Sequence, residues 1–394
     1  MSIQIETPQD TRLGGFGHSA AEDAETAGRE SVRGALAGRA PAASDLVIIF
    51  PSAAYDLEAL HRAAMEEAGP AAVVGCTTVG AFTDEAQLLF GCVAAYIAGD
   101  GISFGVCHVE RDDADIAGST RTAAETARER AGEELEHSVL MLLCDGLTSD
   151  QREMARGAYE VTSALIPLVG GAAGDDLNWQ ATYTFGEGRI LSNGFVTVWI
   201  NSPRPMAVSV DHGWRPFGKP MLVTRAEGNT IFELDGRPAL EAYVSERGAA
   251  LKEDARSFGE KCMERPIGLP NAHGRYDMRH VHESAPGGGI VLPTGAPEHT
   301  VVQVMAGDAE SLLEGARRAA DAARAQLDGP ARLALVFSCC TRAPLLRERV
   351  SEEVSLISST LGGVAAGGFY TCGEFARVTG STGIHNSSVA ILVL

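Results

Sequence analysis

No stretch of this sequence approaches the roughly 20 consecutive apolar residues that a membrane-spanning helix needs. The opening segment, Met1 to Arg12, is polar and acidic, with neither a basic n-region nor an apolar h-region. Membrane insertion and export are therefore not expected, and the chain reads as cytoplasmic. Basic residues are in short supply: Lys and Arg number 32 against 52 Asp and Glu, a formal charge of −20. A duplex-binding surface needs surplus cations to displace counterions, and no dense basic stretch occurs. Nucleic acid and anionic membrane are thus not expected partners, and the acidic surface reads as one that keeps a soluble protein dispersed. The eight cysteines, Cys76, Cys92, Cys107, Cys144, Cys262, Cys339, Cys340 and Cys372, form no C-x-x-C pair. That removes zinc-ribbon and thioredoxin-like chemistry. Several lie in apolar runs, where a thiol acts as a small buried hydrophobe, which suits a reducing compartment. No G-x-G-x-x-G opens a helix, and the glycine-rich turn at 170–176 lacks the Lys-Ser/Thr of a phosphate loop, which disfavours a nucleotide.

What is present is a soluble globular balance, 45% apolar and 21% charged, over 394 residues. At ~100–200 residues per domain, that length suits about two domains. The strongest pattern is internal. Apolar runs at Asp45–Ser52, Ser138–Asp145 and Arg332–Cys339 are each followed by a helical pattern. A short glycine-containing run comes next (Ala72–Thr78, Leu168–Gly174, Leu361–Gly367), and then another apolar run (Gly91–Ala98, Gly194–Ile200, Ser388–Leu394). Ala-rich helices precede the second and third copies, with stripes through Thr120, Ala124, Ala127, Ala131 and Leu135, and through Leu313, Ala316, Ala320, Ala323 and Leu327. Small residues on such a stripe permit close packing on a sheet. The opening strands of the copies are read near Gly15–His18, at Ile102–Val109 and at Thr300–Met305.

The unit is strand–helix–strand–helix–strand–strand, about 90 residues against the ~20–50 of a solenoid repeat, so duplicated modules are expected. The fold class is α/β, with mixed sheets covered by helices, because uninterrupted apolar strands must be buried on both faces. Two domains are expected: 1–203, with two modules, and 204–394, with an inserted Gly/Pro-rich hairpin and helix segment followed by the third module.

Ligands in open α/β sheets gather at the carboxyl ends of strands. Those ends carry Pro51 and Ser52, Asp145 and Gly146, and Cys339, Cys340 and Arg342; the short third runs end in small-residue turns where backbone can approach a ligand. Asp175 and Asp176, being adjacent, point to opposite faces of an extended chain. Four histidines, His273, His280, His282 and His299, fall in the Gly/Pro-rich segment. His280 and His282 could share one strand face and bind a metal, although surface positions are favoured. His212, between Asp211 and Gly213-Trp214, can hold a fixed tautomer and stack on a ligand. Cys340 with His385 and Asn386 has the residue types of a thiol nucleophile, its base and an orienting amide. No nucleophile elbow surrounds Cys340, so covalent catalysis is not favoured.

The motifs resemble those of FIST-domain proteins along nearly the whole chain. The resemblance rests on VVGCTTVGAF (73–82), LVGGAAGDD followed by TYTFGEGRILSNGFV (168–196), DHGWRPFG (211–218), VTRAEGNTIFELDGRPALEAY (223–243), FSCCTR (337–342), GGFYTCGEFA and HNSS. It implies a sensory domain for small ligands, amino acids among them, and no enzymatic activity. Some stand-alone members bind haem and report nitric oxide to a histidine kinase. The chain has no room for an F-box, kinase, receiver or cyclase module, so any output is expected to pass to a partner protein. The pocket positions implied are Asp175, His212, Arg342, Tyr370, Glu374, His385 and Asn386: carboxylates for an ammonium group, and Arg342 for a carboxylate. If haem is bound, His212 is the axial candidate; no C-x-x-C-H attachment site occurs. The alternatives are a haem-based nitric oxide sensor and a cysteine-dependent hydrolase.

Overall fold

The computed structural model describes residues 13–99, 101–147, 150–248, 261–271, 274–377 and 383–394. His273 lies outside them. The first segment runs β1 (Gly14–Ser19), α1 (Ala24–Leu36), β2 (Leu46–Pro51), α2 (Leu57–Ala68), β3 (Ala72–Cys76), a hairpin of β4 (Ala81–Thr83) and β5 (Gln87–Leu88), and β6 (Cys92–Ile97). The second runs β7 (Ser103–Glu110), α3 (Ile116–Arg130), β8 (His137–Cys144), α4 (Gln151–Thr162), β9 (Leu168–Ala172), a hairpin of β10 (Thr184–Gly186) and β11 (Arg189–Leu191), and β12 (Gly194–Ser202). After β13 (Ala207–Asp211) comes an insert of nine strands: β14 (Arg215–Pro216), β15 (Met221–Glu227), β16 (Thr230–Leu234), β17 (Arg237–Pro238), β18 (Ile267–Pro270), β19 (Tyr276–Arg279), β20 (Glu283–Ala285), β21 (Gly289–Val291) and β22 (Val301–Ala306). Helix α5 (Ala239–Arg247) lies within it. The chain then forms α6 (Ala309–Arg324), β23 (Ala334–Cys339), α7 (Val350–Thr360), β24 (Ala366–Thr371), a hairpin of β25 (Glu374–Ala376) and β26 (Ile384–His385), and β27 (Val389–Val393).

Three sheets share one strand order: β1-β6-β2-β3, β7-β12-β8-β9 and β13-β27-β23-β24. In each, only the last pair is parallel. A glycine sits in the middle of each parallel pair because no side chain fits there. A Cβ on Gly75, Gly170 or Gly368 would lie 2.0, 1.9 or 1.8 Å from the carbonyl oxygen of Ile49, Leu142 or Val336. Each sheet is completed by a hairpin from another segment: β10–β11 joins β3, β25–β26 joins β9, and β4–β5 joins β24. The exchange is cyclic, so no segment finishes its own sheet. The α/β class with mixed, helix-covered sheets is therefore as read from the sequence.

Both faces of the central strands are buried, which explains their unbroken apolar runs. Inner faces meet in one core that includes Ile48, Phe50, Met141, Leu143, Phe337 and Phe369. Phe369 stacks on Phe50 at 4.7 Å and meets Phe337 edge-on at 5.8 Å, fastening the first sheet to the third. Outer faces are covered by helices. Helices α1, α2, α3, α4 and α6 each start at an Asp whose side chain accepts a backbone N–H of the first turn. The small-residue stripes lie on the sheets: Ala124, Ala127, Ala316, Ala320 and Ala323 are fully buried.

One assignment is corrected. The run Thr300–Met305 becomes β22, which pairs with β15 and β18 in the insert. The opening strand of the third sheet is instead β13, paired with β27. The insert separates β13 from α6, so adjacency in the chain pointed to the wrong strand. It carries its own core around Met221, Val223, Tyr243, Ile290 and Val302. Among the described residues, no helix is long and apolar enough to cross a membrane.

Candidate functional site

The carboxyl ends of β8, β23 and β24 converge beneath the insert on a cavity of about 320 Å³. Its floor is built by chain reversals that need small residues. Gly146, after β8, has no room for a Cβ, which would meet Ala173 O at 1.9 Å. Gly373, after β24, has φ +147°, and a Cβ there would lie 2.3 Å from Gln151 Oε1. Its bare backbone is what seats the Gln151 side chain at the start of α4. Cys339 ends β23, Cys340 and Thr341 follow it, Cys372 follows β24, and Asn386 follows β26.

One wall is aromatic. Trp179 is carried by a loop in which Asp176, Leu177 and Trp179 all have left-handed backbones, with φ of +56°, +63° and +57°. Such conformations are strained for side-chain-bearing residues. Asp175 holds them: its Oδ1 accepts from Trp179 N at 2.9 Å, and its Oδ2 from Gln180 N at 2.6 Å and Ala181 N at 3.2 Å. Trp179 meets His282 edge-on at 5.7 Å, and His282 meets His280 at 6.3 Å.

The cavity gathers polar atoms without partners. Asn386 Oδ1, Gln151 Oε1 and His280 Nδ1 are buried, with no hydrogen bond inside the protein. Asn386 and Gln151 are only 2% and 7% exposed. Leaving such an atom unmet costs about 1–3 kcal/mol, and three of the residues lining this cavity carry one. Burial, then the neighbouring His282, pushes His280 down to about 3, so its ring is neutral. No Lys or Arg stands among the described lining residues, and Asp150 is the one carboxylate among them. Asp150 already caps α4, accepting from Arg152 N at 3.1 Å and Glu153 N at 3.2 Å.

Of the seven positions chosen from the sequence, Asn386 lies on this cavity. Asp175 shapes the Trp179 loop. Arg342 is fully buried and committed: it binds Glu353 Oε1 at 2.9 and 2.5 Å, His212 O at 2.7 Å and Leu312 O at 3.0 Å. Its guanidinium has no face left for a ligand carboxylate. Tyr370 is buried against Phe82, ring centroids 4.9 Å apart. Glu374 accepts from Thr371 Oγ1 at 2.5 Å and Ser388 Oγ at 2.6 Å. Burial, with the Cys339 thiol nearby, raises its carboxyl well above the ordinary range.

His212 and His385 line a different, more open recess of about 1040 Å³ along the edge of β13. His212 Nδ1 accepts the Trp214 backbone N–H at 2.9 Å. Burial depresses this ring to about 4, so it is neutral and its proton sits on Nε2. An iron-ligating imidazole has the reverse arrangement, a bare coordinating nitrogen and a donating partner nitrogen. His212 therefore does not fit an axial haem ligand. His385 Nε2 lies 2.9 Å from Ala376 O, an acceptor only, so Nε2 donates. Cys340 and His385 line separate recesses. The Cys339 thiol pulls Cys340 down, but the Cys372 thiol and burial outweigh it and hold Cys340 well above its ordinary value. The expected pairing of Cys340 with His385 is thus not made across one recess. Among the described residues no group of three or more His, Cys, Asp or Glu is placed to hold a metal.

The sequence reading missed Gln151 and Trp179, and it set His280 and His282 on a strand at the surface. Both histidines follow β19 in irregular chain and line the cavity; His282 is exposed, as expected, and His280 is half-buried. Gln151 had a signal, since it opens a helix directly after a strand end. Trp179 had none, because its direction depends on the Asp175 cap.

A protein of Mycobacterium tuberculosis, itself uncharacterized, is 26% identical over 400 residues, covering 96% of this chain and 99% of the relative. An uncharacterized Mycobacterium bovis protein is 28% identical over 234 residues, 57% of this chain and 60% of that one. A crystal structure of cyanuric acid hydrolase from A. caulinodans aligns over 96% of this chain and 98% of its own at 10% identity, with a TM-score of 0.33. The FIST N domain matches residues 45–237 and the FIST C domain residues 239–377. This chain belongs to the FIST family, whose domains are the sensory domains of signal-transduction proteins.

Proposed function

We propose that the chain is a small-ligand sensor whose ligand occupies the cavity between the strand ends and the insert. The observation that carries this reading is that three residues with an unpartnered buried polar atom, Asn386, Gln151 and His280, line one cavity. Cavities of about 300–1,000 Å³ with a mostly apolar lining and a few convergent polar groups are the usual form of a small-molecule site. Three parts of the chain contribute to the wall: the second segment through Gln151, the third through Asn386, and the insert through His280. A ligand contacting all three ties the insert to the sheets. If the tied and untied arrangements differ in ligand affinity, binding shifts their populations, and a partner protein that contacts the insert reads that shift. The role is binding and not turnover, with burial holding the Cys339 and Cys340 thiols protonated. A thermal-shift screen of small molecules tests it. Ligands that stabilise the wild type should fail to stabilise Val291→Trp, which places an indole in the cavity. Equal stabilisation of both proteins would place the ligand elsewhere.

A further inference from the structure

We infer that the cavity takes an amine: a cationic, donor-bearing compound on an aromatic or apolar body, carrying no carboxylate or phosphate. The inference rests on the cavity being the ligand site and goes on to the chemistry of the occupant. Charge decides the first half. The described lining holds no Lys or Arg, and an anion buried without a counter-charge bears a desolvation penalty of several kcal/mol. Two arginines close in sequence to the lining, Arg152 and Arg279, donate to Gly295 O and Met278 O, each at 2.8 Å, although Arg279 Nε has no partner. The N-terminus of α4 faces the cavity and would ordinarily attract an anion, but Asp150 already occupies its amides. Arg342, the residue type that would clamp an amino-acid carboxylate, is consumed by Glu353 and two carbonyls.

Hydrogen bonding decides the second half. The Gln151 amide N–H points to Cys372 O at 3.5 Å, and its Oε1 lies against the Gly373 backbone. Asn386 offers Oδ1. An unpartnered amide oxygen calls for an N–H donor, which an ammonium group supplies. Trp179 and the Asp150 carboxylate also line the cavity, and both groups favour a cation, an indole through its quadrupole and a carboxylate through its charge. Leu147, Met263, Leu292 and Pro293 supply apolar contact for the body.

The test uses three probes with one phenyl-ethyl body: 2-phenylethylamine, phenylalanine and 3-phenylpropionate. Their binding to the full chain is followed by isothermal titration, with Asn386→Leu and Val291→Trp as controls. The amine should bind at least about tenfold more tightly than phenylalanine, and 3-phenylpropionate should bind least; tenfold corresponds to about 1.4 kcal/mol. Asn386→Leu should weaken the amine, and Val291→Trp should abolish its binding. If phenylalanine or 3-phenylpropionate binds as tightly as the amine and Val291→Trp blocks it, the amine assignment is overturned while the cavity survives as a ligand site. If none of the three binds, the assignment is likewise overturned. Binding that Val291→Trp leaves intact overturns the cavity reading itself.

Discussion

Replacing Asn386 by Leu should make the protein more stable and less able to bind its ligand. Asn386 is 2% exposed, and its Oδ1 has no partner. An unmet buried acceptor costs about 1–3 kcal/mol, and leucine has nearly the same shape without the polar atoms. Allowing for imperfect packing of the methyl groups, the net gain should be about 1–2 kcal/mol. The exchanged hairpins make the three sheets one cooperative unit, so the gain is spread over a large unfolding entropy. At roughly 2.1 cal/mol/K per residue for 394 residues, that entropy is about 0.8 kcal/mol/K, and the rise in Tm should be roughly 1–3 °C. Scanning calorimetry of the ligand-free protein measures it, and titration measures the lost affinity. Asn386→Asp should go the other way, because it buries a charge with no cation beside it. A clear loss of stability in Asn386→Leu would refute the reasoning, since it would mean that the amide is satisfied within the fold and is not held in readiness for a ligand.

Further outcomes follow from the same packing. Arg342→Met should cost about 3–5 kcal/mol because it strands Glu353 in the interior, and it should leave the affinity of cavity ligands within about twofold once stability is restored; urea unfolding and titration separate the two. Phe369→Ala should cost about 3–5 kcal/mol, measured by the same unfolding, because its ring joins the first and third sheets. His280 is pushed from 6.5 to about 3 by burial, so the unfolded chain binds the extra proton between those values. Its contribution is therefore present above about pH 6.5 and lost as the pH falls toward 3, and His280→Gln should flatten the acid side of a stability–pH profile. Glu374 is raised well above 4.5 by burial, so the folded state holds the proton longer. Stability should decline as the pH rises above 4.5, and Glu374→Gln should remove part of that decline in the same profile.

Much of the fold was legible because strands buried on both faces leave continuous apolar runs, and helices on a sheet leave small-residue stripes. Runs such as Asp45–Ser52 and Ser138–Asp145 became β2 and β8 within a residue or two. Two features were hidden. The hairpins β4–β5, β10–β11 and β25–β26 are too short to show periodicity, and nothing local states which sheet they join. The third sheet takes its first strand from before a long insert, so β22 imitated it. The site was legible only as a location, the carboxyl ends of the strands. Residues chosen there for their charge, Asp175, Arg342 and Glu374, satisfy the protein's own backbone and side chains, since a buried charge in a tight turn is most often consumed locally. The side chains left unsatisfied are amides and an imidazole, whose state depends on neighbours hundreds of residues away: Gln151 reaches Cys372, and His280 comes from the insert.

The most direct test of the sensor reading is the fluorescence of Trp179 during ligand titration. The chain has three tryptophans, and Trp199 and Trp214 are buried away from the cavity. A ligand in the cavity should change the emission saturably, Trp179→Phe should abolish that change, and Asn386→Leu should shift it to higher ligand concentration. Ligands that stabilise the protein while leaving Trp179 emission untouched, or that lose their effect only on substitution of His212 or His385, would contradict the account and move the site to the recess along β13.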